Sequence, residues 1–314
     1  MNLHQFRFLQ EAVRHNFNLS EAARALFTSQ PGVSKAIIEL EDELGVEIFS
    51  RHGRRIRKLT APGEEVLRSV EVILREVNNL KRIGQNYAAQ DSGQLTIAAT
   101  HTQARYRLPQ VIAEFRRRFP RVQVHLMQGN PDQVAQAVLD ERAAIGLATE
   151  SLAEHAELVT LPCYEWQHLV VTPLNHPLND CADLSLAELA RYPLVTYDPA
   201  FTGRKRIDQA FAQQGLAPQI VMEATDSDVL KTYVELELGV GLIAEMAFNP
   251  ERDTQLRARP AGQLFGHNLA RVAFKRGVYQ RGFVFVLTEL LSQRLSRKLV
   301  EQVLRGQSDE NFSI

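Results

Sequence analysis

The sequence predicts a small all-α N-terminal unit, one long helix, and a larger α/β unit divided into two lobes. Three patterns lead to this prediction. Two short helices separated by a tight turn occupy residues 18–44, and a run of basic residues follows them. Apolar residues then recur at nearly heptad spacing over residues 66–87. Beyond residue 91, short apolar strands alternate with amphipathic helices.

The first pattern is a pair of helices. Asn18 is a suitable N-cap for the first helix, Ser29 or Gln30 caps the second, and Gly45 stands just past its end. The buried face of the second helix is predicted from apolar residues at spacings of 4, 3 and 4: Val33, Ile37, Leu40 and Leu44. This is the pattern of a helix-turn-helix, although an ordinary helical hairpin shares it.

The exposed side of the second helix begins with short polar and cationic side chains. On the first turn of a helix in the major groove, such groups reach base edges and phosphates. The basic run between Ser50 and Leu59 contains five cations and no acid, and its His52-Gly53 pair suits a hairpin tip, as in a winged helix. A solvated charged face is the alternative. We predict contacts with double-stranded DNA from Ser29, Gln30, Ser34, Lys35, Arg51 and Arg54.

A long helix is predicted from its N-cap, Thr60, to about Ala89. Six apolar residues along it keep close to a period of 3.5, with one irregular step before the last: Val66, Val70, Ile73, Val77, Leu80 and Tyr87. Charged residues flank this stripe, which favours a coiled-coil partner and therefore a homodimer. The alternative is an amphipathic helix that packs on its own chain.

Asp91-Ser92-Gly93 interrupts that helix and marks the start of the α/β unit. Strands are predicted at Leu95–Ala99, Val122–Met127, Ile145–Ala148, Leu194–Tyr197, Ile220–Ala224 and Val240–Ala244. Helices are predicted at Leu108–Phe119, Asp132–Asp140, Arg204–Gln214 and Asp226–Leu238. The segment His168–Thr172 carries the chain to the second lobe, and the strand Leu269–Phe274 and the helix Gly282–Leu304 return it. Two lobes joined in this way leave a cleft in which small ligands bind.

Polar residues follow several of these strands and face the predicted cleft. Thr100-His101-Thr102-Gln103 lies between a strand and a helix, where backbone N–H groups and the helix dipole favour an oxyanion. Phe201-Thr202-Gly203-Arg204 has the corresponding place in the second lobe, and Thr149 ends another strand. Routine capping of strand ends by threonine explains the first motif equally well.

Composition limits the class of protein. The 314 residues suit two or three folded units. The formal charge of the chain is −1, but residues 1–60 contain nine Lys or Arg and seven Asp or Glu, so this segment has a small positive excess. Two cysteines argue against a disulfide framework. Neither a membrane-length apolar run nor a signal pattern occurs. We therefore expect a cytoplasmic protein with no membrane partner.

Catalysis is the alternative function for a two-lobed cleft. Cys163 paired with His168, or His101 acting as a base, would be the candidates. Neither a nucleophile elbow nor a phosphate-binding or dinucleotide-binding loop accompanies them, and the nine histidines lack metal-ligand spacing. We therefore predict no enzyme, no metal and no cofactor. A solute-binding protein without regulatory function is a third class, but it would need neither the helix pair nor the heptad stripe.

Several motifs near the N-terminus occur together: Leu3-His4-Gln5-Phe6, Ala22-Ala23, Ser29-Gln30-Pro31, Val33-Ser34, Leu44-Gly45, Phe49-x-Arg51 and Leu59-Thr60-x-x-Gly63. Together they resemble LysR-type transcriptional regulators. The resemblance implies a winged helix-turn-helix over residues 1–60, a dimerisation helix over 61–90 and a two-lobed effector domain over 91–306, similar to periplasmic solute-binding proteins. It also implies a homotetramer. We expect residues 307–314 to be disordered, and RNA polymerase to be a further partner.

More motifs narrow this resemblance: Thr100–Tyr106, Ala148–Glu150, Leu161–Trp166, Tyr192–Tyr197, Phe201–Arg204 and Thr225–Val234. They are similar to the family members that activate sulfate-assimilation and cysteine-biosynthesis genes. The resemblance implies sulfate or thiosulfate in the cleft, with N-acetylserine or O-acetylserine as effector. It implies an effector site lined by Thr100, Thr102, Gln103, Thr149 and Thr202, with Trp166 and Thr196 nearby. The alternatives are a paralogous regulator of sulfonate use and a LysR-type regulator with an unrelated effector.

Glu237 departs from the family pattern, which has glycine at the first position of Gly-x-Gly-x-Gly. A carboxylate close to the ligand would oppose an anionic effector, whereas one at the exposed end of a helix would change little. We favour the exposed helix end.

Overall fold

A computed structural model of the chain describes residues 1–52, 55–88 and 90–306, with the backbone alone for Arg55, Glu150 and Thr202. The chain folds into two compact units, Met1–Gln85 and Asn86–Ile314. Gly53 of the predicted His52-Gly53 wing tip, Arg54 and the predicted disordered tail lie outside the described residues.

The first unit has the predicted winged helix-turn-helix fold. Its elements are α1 (Leu3–Arg14), α2 (Leu19–Ala25), α3 (Gln30–Leu44), the antiparallel strands β1 (Phe49–His52) and β2 (Arg55–Leu59), and α4 (Ala61–Ala88). Asn18 caps α2 by accepting hydrogen bonds from the amides of Ser20 and Glu21. Gly45 ends α3 with a left-handed φ of 68°.

The predicted buried face of α3 is confirmed for three of its four residues. Val33, Ile37 and Leu40 are fully buried, whereas Leu44 is 38% exposed. Leu44 is the last residue of the helix, and the chain turns away there at Gly45. The prediction for Leu44 was therefore wrong. The apolar repeat continues to the end of α3, but the neighbouring elements that cover the buried face of this helix do not extend as far as Leu44.

Helix α4 divides its apolar residues between two environments. Val70 and Leu74 are buried in the core of the first unit, so this part of the helix packs on its own chain. Ile73, Leu80 and Tyr87 are 40%, 69% and 76% exposed. The heptad stripe therefore overstated the surface that is available to a partner, because Val70 belongs to the core of the first unit. The predicted dimer depends on the exposed residues that follow it, Ile73, Leu80 and Tyr87.

Within the described residues, nine strands form the sheet of the second unit. The strands are β3 (Ser92–Ala99), β4 (Arg121–Gln128), β5 (Ile145–Ala148), β6 (Leu158–Pro173), β7 (Leu194–Tyr197), β8 (Ile220–Ala224), β9 (Val240–Ala244), β10 (Leu256–Pro260) and β11 (His267–Lys275). Their order is β4-β3-β5-β11-β6-β9-β7-β8, and β10 pairs with β6. The first lobe contains β3, β4 and β5 in parallel with β11 antiparallel, and the second contains β7, β8 and β9 in parallel with β10 on β6.

Helices pack around this sheet. They are α5 (Leu108–Arg118), α6 (Pro131–Leu139), α7 (Leu186–Leu189), α8 (Thr202–Gln213), α9 (Ser227–Glu235), α10 (Gly262–Phe265), α11 (Gly282–Leu291) and α12 (Arg297–Leu304). The single helix predicted over residues 282–304 is wrong. Ser292 adopts an extended conformation and ends α11, and the Ser296 side chain then caps α12.

Strand β6 is the main connection between the lobes. It runs for 16 residues, of which only His168–Thr172 was predicted as strand. Residues 158–167 pair with β11 in the first lobe, and residues 168–171 pair with β9 in the second. The chain therefore passes between the lobes at Gln167 and His168 without leaving the β conformation.

Candidate DNA-binding surface and effector cavity

The first turn of α3 presents polar groups to solvent, as predicted. The Ser29 hydroxyl accepts a hydrogen bond from the Gly32 amide at 3.3 Å, which makes Ser29 the cap of this helix. Gln30 and Lys35 are exposed and Ser34 is partly exposed. The Lys35 ammonium lies 3.7 Å from the Glu39 carboxylate, a surface pair that leaves the cation available to a phosphate.

Arg51 is held by the carboxylate of Glu41. Glu41 is buried, with an exposed fraction of 6%. It accepts hydrogen bonds from the amides of Ile48 and Phe49 at 2.8 and 3.0 Å and from the Arg51 guanidinium. Glu41 thus fixes β1 against α3 and orients Arg51, whose side chain is 35% exposed. The predicted phosphate contact of Arg54 lies outside the described residues.

The cavity of the second unit lies where strand ends of both lobes meet. Its volume is about 30 Å³, and it is lined by Thr100, Thr102, Gln103, Pro131, Thr149, Trp166, Tyr197, Phe201 and Gly203. None of these lining side chains is charged. A water molecule needs about 10–15 Å³ of such volume, so the cavity in this conformation fits only a compact group.

Hydroxyl and amide groups, each able to donate a hydrogen bond, form the polar part of this lining. Thr100, Gln103 and Thr149 are buried, with exposed fractions of 4%, 1% and 7%. The Tyr164 hydroxyl donates to the Gln103 side-chain oxygen, which turns the amide nitrogen of Gln103 away from Tyr164 and leaves it as a donor. Pro131, the first residue of α6, and Gly203, the second residue of α8, both line the cavity, so the dipoles of these two helices favour an anion there.

The structure brings five of the seven predicted effector residues together. Thr100, Thr102, Gln103, Thr149 and Trp166 line the cavity. Thr196 does not contribute to the lining, because its hydroxyl donates to the Leu242 carbonyl at 3.1 Å within the sheet. The side chain of Thr202 is outside the described atoms, but its backbone begins α8 at the cavity edge. Glu237 is exposed beyond the end of α9 and is absent from this lining, as favoured above.

Side chains beside the cavity tie the two lobes together. His101 lies 3.0 Å from the Asp226 carboxylate and 2.9 Å from the Gln128 side chain. Asp228 accepts hydrogen bonds from Arg105 at 3.0 Å and from Tyr106 at 2.7 Å. Burial and the Asp228 carboxylate raise the pKa of Tyr106, so its phenol remains a donor.

These ties follow from a helical turn that the sequence did not reveal. Residues Gln103–Arg107 form a π-helical turn between β3 and α5, which directs successive side chains toward α9. The motif Thr225-Asp226-x-Asp228 was visible in the sequence, but its partners lie more than 100 residues away. Pattern reasoning on a single chain offers no signal for such pairs.

The candidate catalytic pair does not have the protonation states that nucleophilic catalysis needs. Burial raises the pKa of Cys163 to about 12, and burial together with Arg206 lowers the pKa of His168 to about 3. The thiol is therefore protonated and the imidazole neutral at pH 7. Among the described residues, no three His, Cys, Asp or Glu side chains cluster as metal ligands.

A helix-turn-helix unit followed by a two-lobed domain with a polar cavity defines a ligand-responsive transcriptional regulator. Residues 3–64 match the family model described as bacterial regulatory helix-turn-helix protein, lysR family, and residues 88–296 match the LysR substrate binding domain. The chain belongs to the LysR family of transcriptional regulators.

Curated relatives place the chain within that family. It is 62% identical over 309 residues to the HTH-type transcriptional regulator CysB of Burkholderia cenocepacia, covering 98% of this chain and 99% of the relative. It is 48% identical to the regulator SsuR of the same organism, over 97% of this chain and 99% of SsuR. It is 44% identical to the regulator cbl of Escherichia coli, over 99% of both chains. The narrower resemblance within the family, predicted from the motifs between Thr100 and Val234, is confirmed.

Solved structures support the same fold. The cofactor-binding domain of the Cbl transcriptional regulator is 44% identical, covers 68% of this chain and 94% of its own, and gives a TM-score of 0.65. A full-length OxyR variant from Pseudomonas aeruginosa gives a TM-score of 0.64 at 20% identity, with 93% of this chain and 97% of the OxyR chain covered.

Among the described residues, no helix is both long and apolar enough to cross a membrane.

Proposed function

We propose that this protein regulates, mainly as an activator, genes of sulfate assimilation and cysteine biosynthesis. The 62% identity to a CysB regulator over nearly the full chain supports this assignment. The lower identities of 48% and 44% to SsuR and cbl make a paralogous sulfonate-type regulator the weaker candidate. The same proposal includes a cytoplasmic homodimer that pairs into a homotetramer, binds promoter DNA and contacts RNA polymerase.

The cavity supports sulfate or thiosulfate as a ligand. Its lining offers hydroxyl and amide donors and two helix N-termini, with no carboxylate to repel an anion. The single observation that carries the proposal is this uncharged ring of donors around Thr100, Thr102 and Gln103. Acetylserine is larger than the compact volume, so its binding requires the lobes to part.

Switching follows from the ties between the lobes. A ligand that changes the lobe arrangement must either preserve or break the contacts beside the cavity, in which His101 pairs with Asp226, and Arg105 and Tyr106 donate to Asp228. An effector therefore shifts the population of lobe arrangements by its difference in affinity for them. In the proposed regulator, that shift alters how the paired DNA-binding units engage their two half-sites.

The effector site is tested by thermal unfolding with sulfate and thiosulfate. We expect both anions to raise the melting temperature saturably, with chloride at equal ionic strength as the control. The double variant Thr100→Val, Thr102→Val keeps side-chain shape and removes two donors, and it should weaken anion affinity by about 100-fold. Thr232→Val, whose hydroxyl bonds the Asp228 carbonyl outside the cavity, should retain the shift. A full response in the double variant would contradict the proposal.

The DNA-binding surface is tested by the salt dependence of binding to a target promoter. Lys35→Ala should weaken DNA binding and reduce the slope of log affinity against log salt by about 1, because one phosphate contact is lost. Lys298→Ala, an exposed cation at the start of α12, should leave the slope unchanged. An unchanged slope for Lys35→Ala would remove this residue from the DNA contacts.

A further inference from the structure

A second cavity lies in the second lobe, at the opposite end of β7 from the effector cavity. Tyr197 ends β7 and lines the effector cavity, whereas Pro193, directly before β7, lines the second cavity. Pro173 at the end of β6 and Val240 at the start of β9 form further parts of its wall. Its volume is about 520 Å³, within the usual range of about 300–1,000 Å³ for small-molecule sites.

The charged groups that line this cavity are all negative. Glu235 and Glu237 contribute carboxylates, and neither Lys nor Arg occurs among the lining residues. Burial lowers the pKa of His176, although Glu237 raises it, so this lining imidazole is neutral at pH 7. Within the described part of the chain, neither carboxylate forms an ion pair. The two negative charges therefore lack a compensating cation, and we call this space the acidic cavity.

Both carboxylates stand at the end of a helix that disfavours their charge. Glu235 is the last residue of α9, and Glu237 follows the Leu236 cap. The C-terminal end of a helix carries a partial negative charge from its free carbonyl groups, so it favours cations there and disfavours acids. The last turn of α9 contains no basic residue. A cation in the acidic cavity would therefore interact favourably with the helix end and with both carboxylates.

Glu237 also has a backbone conformation that favours glycine, with a φ of 60°. Its amide donates to the Val234 carbonyl at 2.9 Å, and the Leu238 amide donates to the Tyr233 carbonyl at 3.0 Å, which is the Schellman pattern of a helix end. A residue with a Cβ atom adopts this conformation only at an energetic cost. The Glu237 side chain is exposed and lines the acidic cavity, so a ligand accounts for the carboxylate where burial does not.

Flat and rigid groups complete the wall of the acidic cavity. The rings of His176 and Tyr192 stack edge to face, with centroids 4.7 Å apart, and His176 Nδ1 accepts a hydrogen bond from the Leu178 amide at 3.2 Å. Three prolines also line the cavity. A guanidinium group is planar and weakly hydrated, so it stacks on aromatic surfaces and binds carboxylates through paired hydrogen bonds. Its shape and charge fit this lining better than those of a compact ammonium group.

We propose that the acidic cavity binds a small organic cation with a guanidinium group, held by Glu235 and Glu237 at the C-terminal end of α9. The effector cavity offers donors to an anion, so the two sites take ligands of opposite charge. Helix α9 lies between them, because its cap, Asp226, contacts His101 beside the effector cavity. The inference is independent of the sulfate assignment, since the acidic cavity uses other residues.

Calorimetric titration of the full chain with agmatine, a guanidinium compound that also has an amine, tests this site. We expect saturable binding of agmatine and no binding of 1,4-butanediol, which has the same carbon chain and no charge. Glu235→Gln should weaken agmatine binding about tenfold, because it removes one charge-assisted interaction. Glu237→Gly should weaken it by a similar factor. It should also raise the melting temperature of the unliganded protein, since glycine relieves the left-handed backbone.

Glu65→Gln, at an exposed position of α4, is the matched control and should bind agmatine as the wild type does. All titrations use one ionic strength, so that screening is the same for every variant. The expected higher melting temperature of Glu237→Gly separates its loss of binding from a loss of folding. Absence of saturable agmatine binding, equal binding of 1,4-butanediol, or an unchanged affinity in both cavity variants would overturn the site.

Discussion

Replacing Lys231 with methionine is expected to destabilise the effector domain by about 3–5 kcal/mol. Lys231 is 8% exposed. Its ammonium donates to the Ala247 carbonyl at 2.8 Å and to both oxygens of Asp253 at 2.9 and 3.0 Å, and it lies 3.0 Å from Asp228. Methionine fills the space but leaves the Asp253 carboxylate, which is 9% exposed, without its cation.

Urea unfolding followed by fluorescence measures this effect, because the single tryptophan reports only the effector domain. Lys298→Met, at an exposed position, should change the free energy of unfolding by less than about 0.5 kcal/mol. The double variant Lys231→Met, Asp253→Leu should recover part of the loss, because it removes both charges. A loss below about 1 kcal/mol in Lys231→Met would show that the buried ion pair is not a main source of stability.

Gly63→Ala is expected to destabilise the DNA-binding unit by about 3 kcal/mol or more. A Cβ atom on Gly63 would lie 2.0 Å from the Ile48 carbonyl oxygen and 2.9 Å from its carbon. Backbone cannot move aside as a flexible side chain can, so α4 would have to separate from the chain before β1. That movement also breaks the hydrogen bond from the Thr60 amide to the Ile48 carbonyl, which is 2.9 Å long.

Calorimetry and promoter binding measure this second effect. Asn78→Ala serves as the control, since Asn78 is an exposed position of the same helix outside the apolar stripe, and alanine there should stabilise by about 0.5 kcal/mol. The variant Gly63→Ala should lose DNA binding at temperatures where the wild type still binds. Normal thermal stability in Gly63→Ala would mean that the start of α4 tolerates a shift.

Much of the fold was predictable because its elements have strong local patterns. Strands β5, β7, β8 and β9 have the bounds expected from their buried apolar runs. Strand β10 was missed because Leu256–Pro260 contains two arginines and a proline, and it is a strand through its pairing with β6. The break between α11 and α12 was missed because apolar residues continue on both sides of it.

The candidate site was predictable only in its strand-end threonines and glutamine. Thr100, Thr102 and Gln103 stand next to a strand in the sequence, and that position identifies them. The groups that complete the site come from distant parts of the chain: Asp226 and Asp228 belong to the other lobe, and the Tyr164 hydroxyl donates to the Gln103 side chain. Their roles depend on distances between remote segments, which a periodicity cannot encode.

The long strand β6 determines how the effector domain can move. A loop hinge changes direction at a few backbone torsions, whereas β6 stays hydrogen-bonded to β11 on one side of the crossing point and to β9 on the other. The two ladders meet between Gln167 and His168, where β6 exchanges one partner strand for the other, so relative motion of the lobes twists β6 at the point that neither ladder spans. On β6 the hinge point is therefore one pair of residues inside a strand, and it favours a change in the angle between two intact lobes over a rearrangement within either lobe.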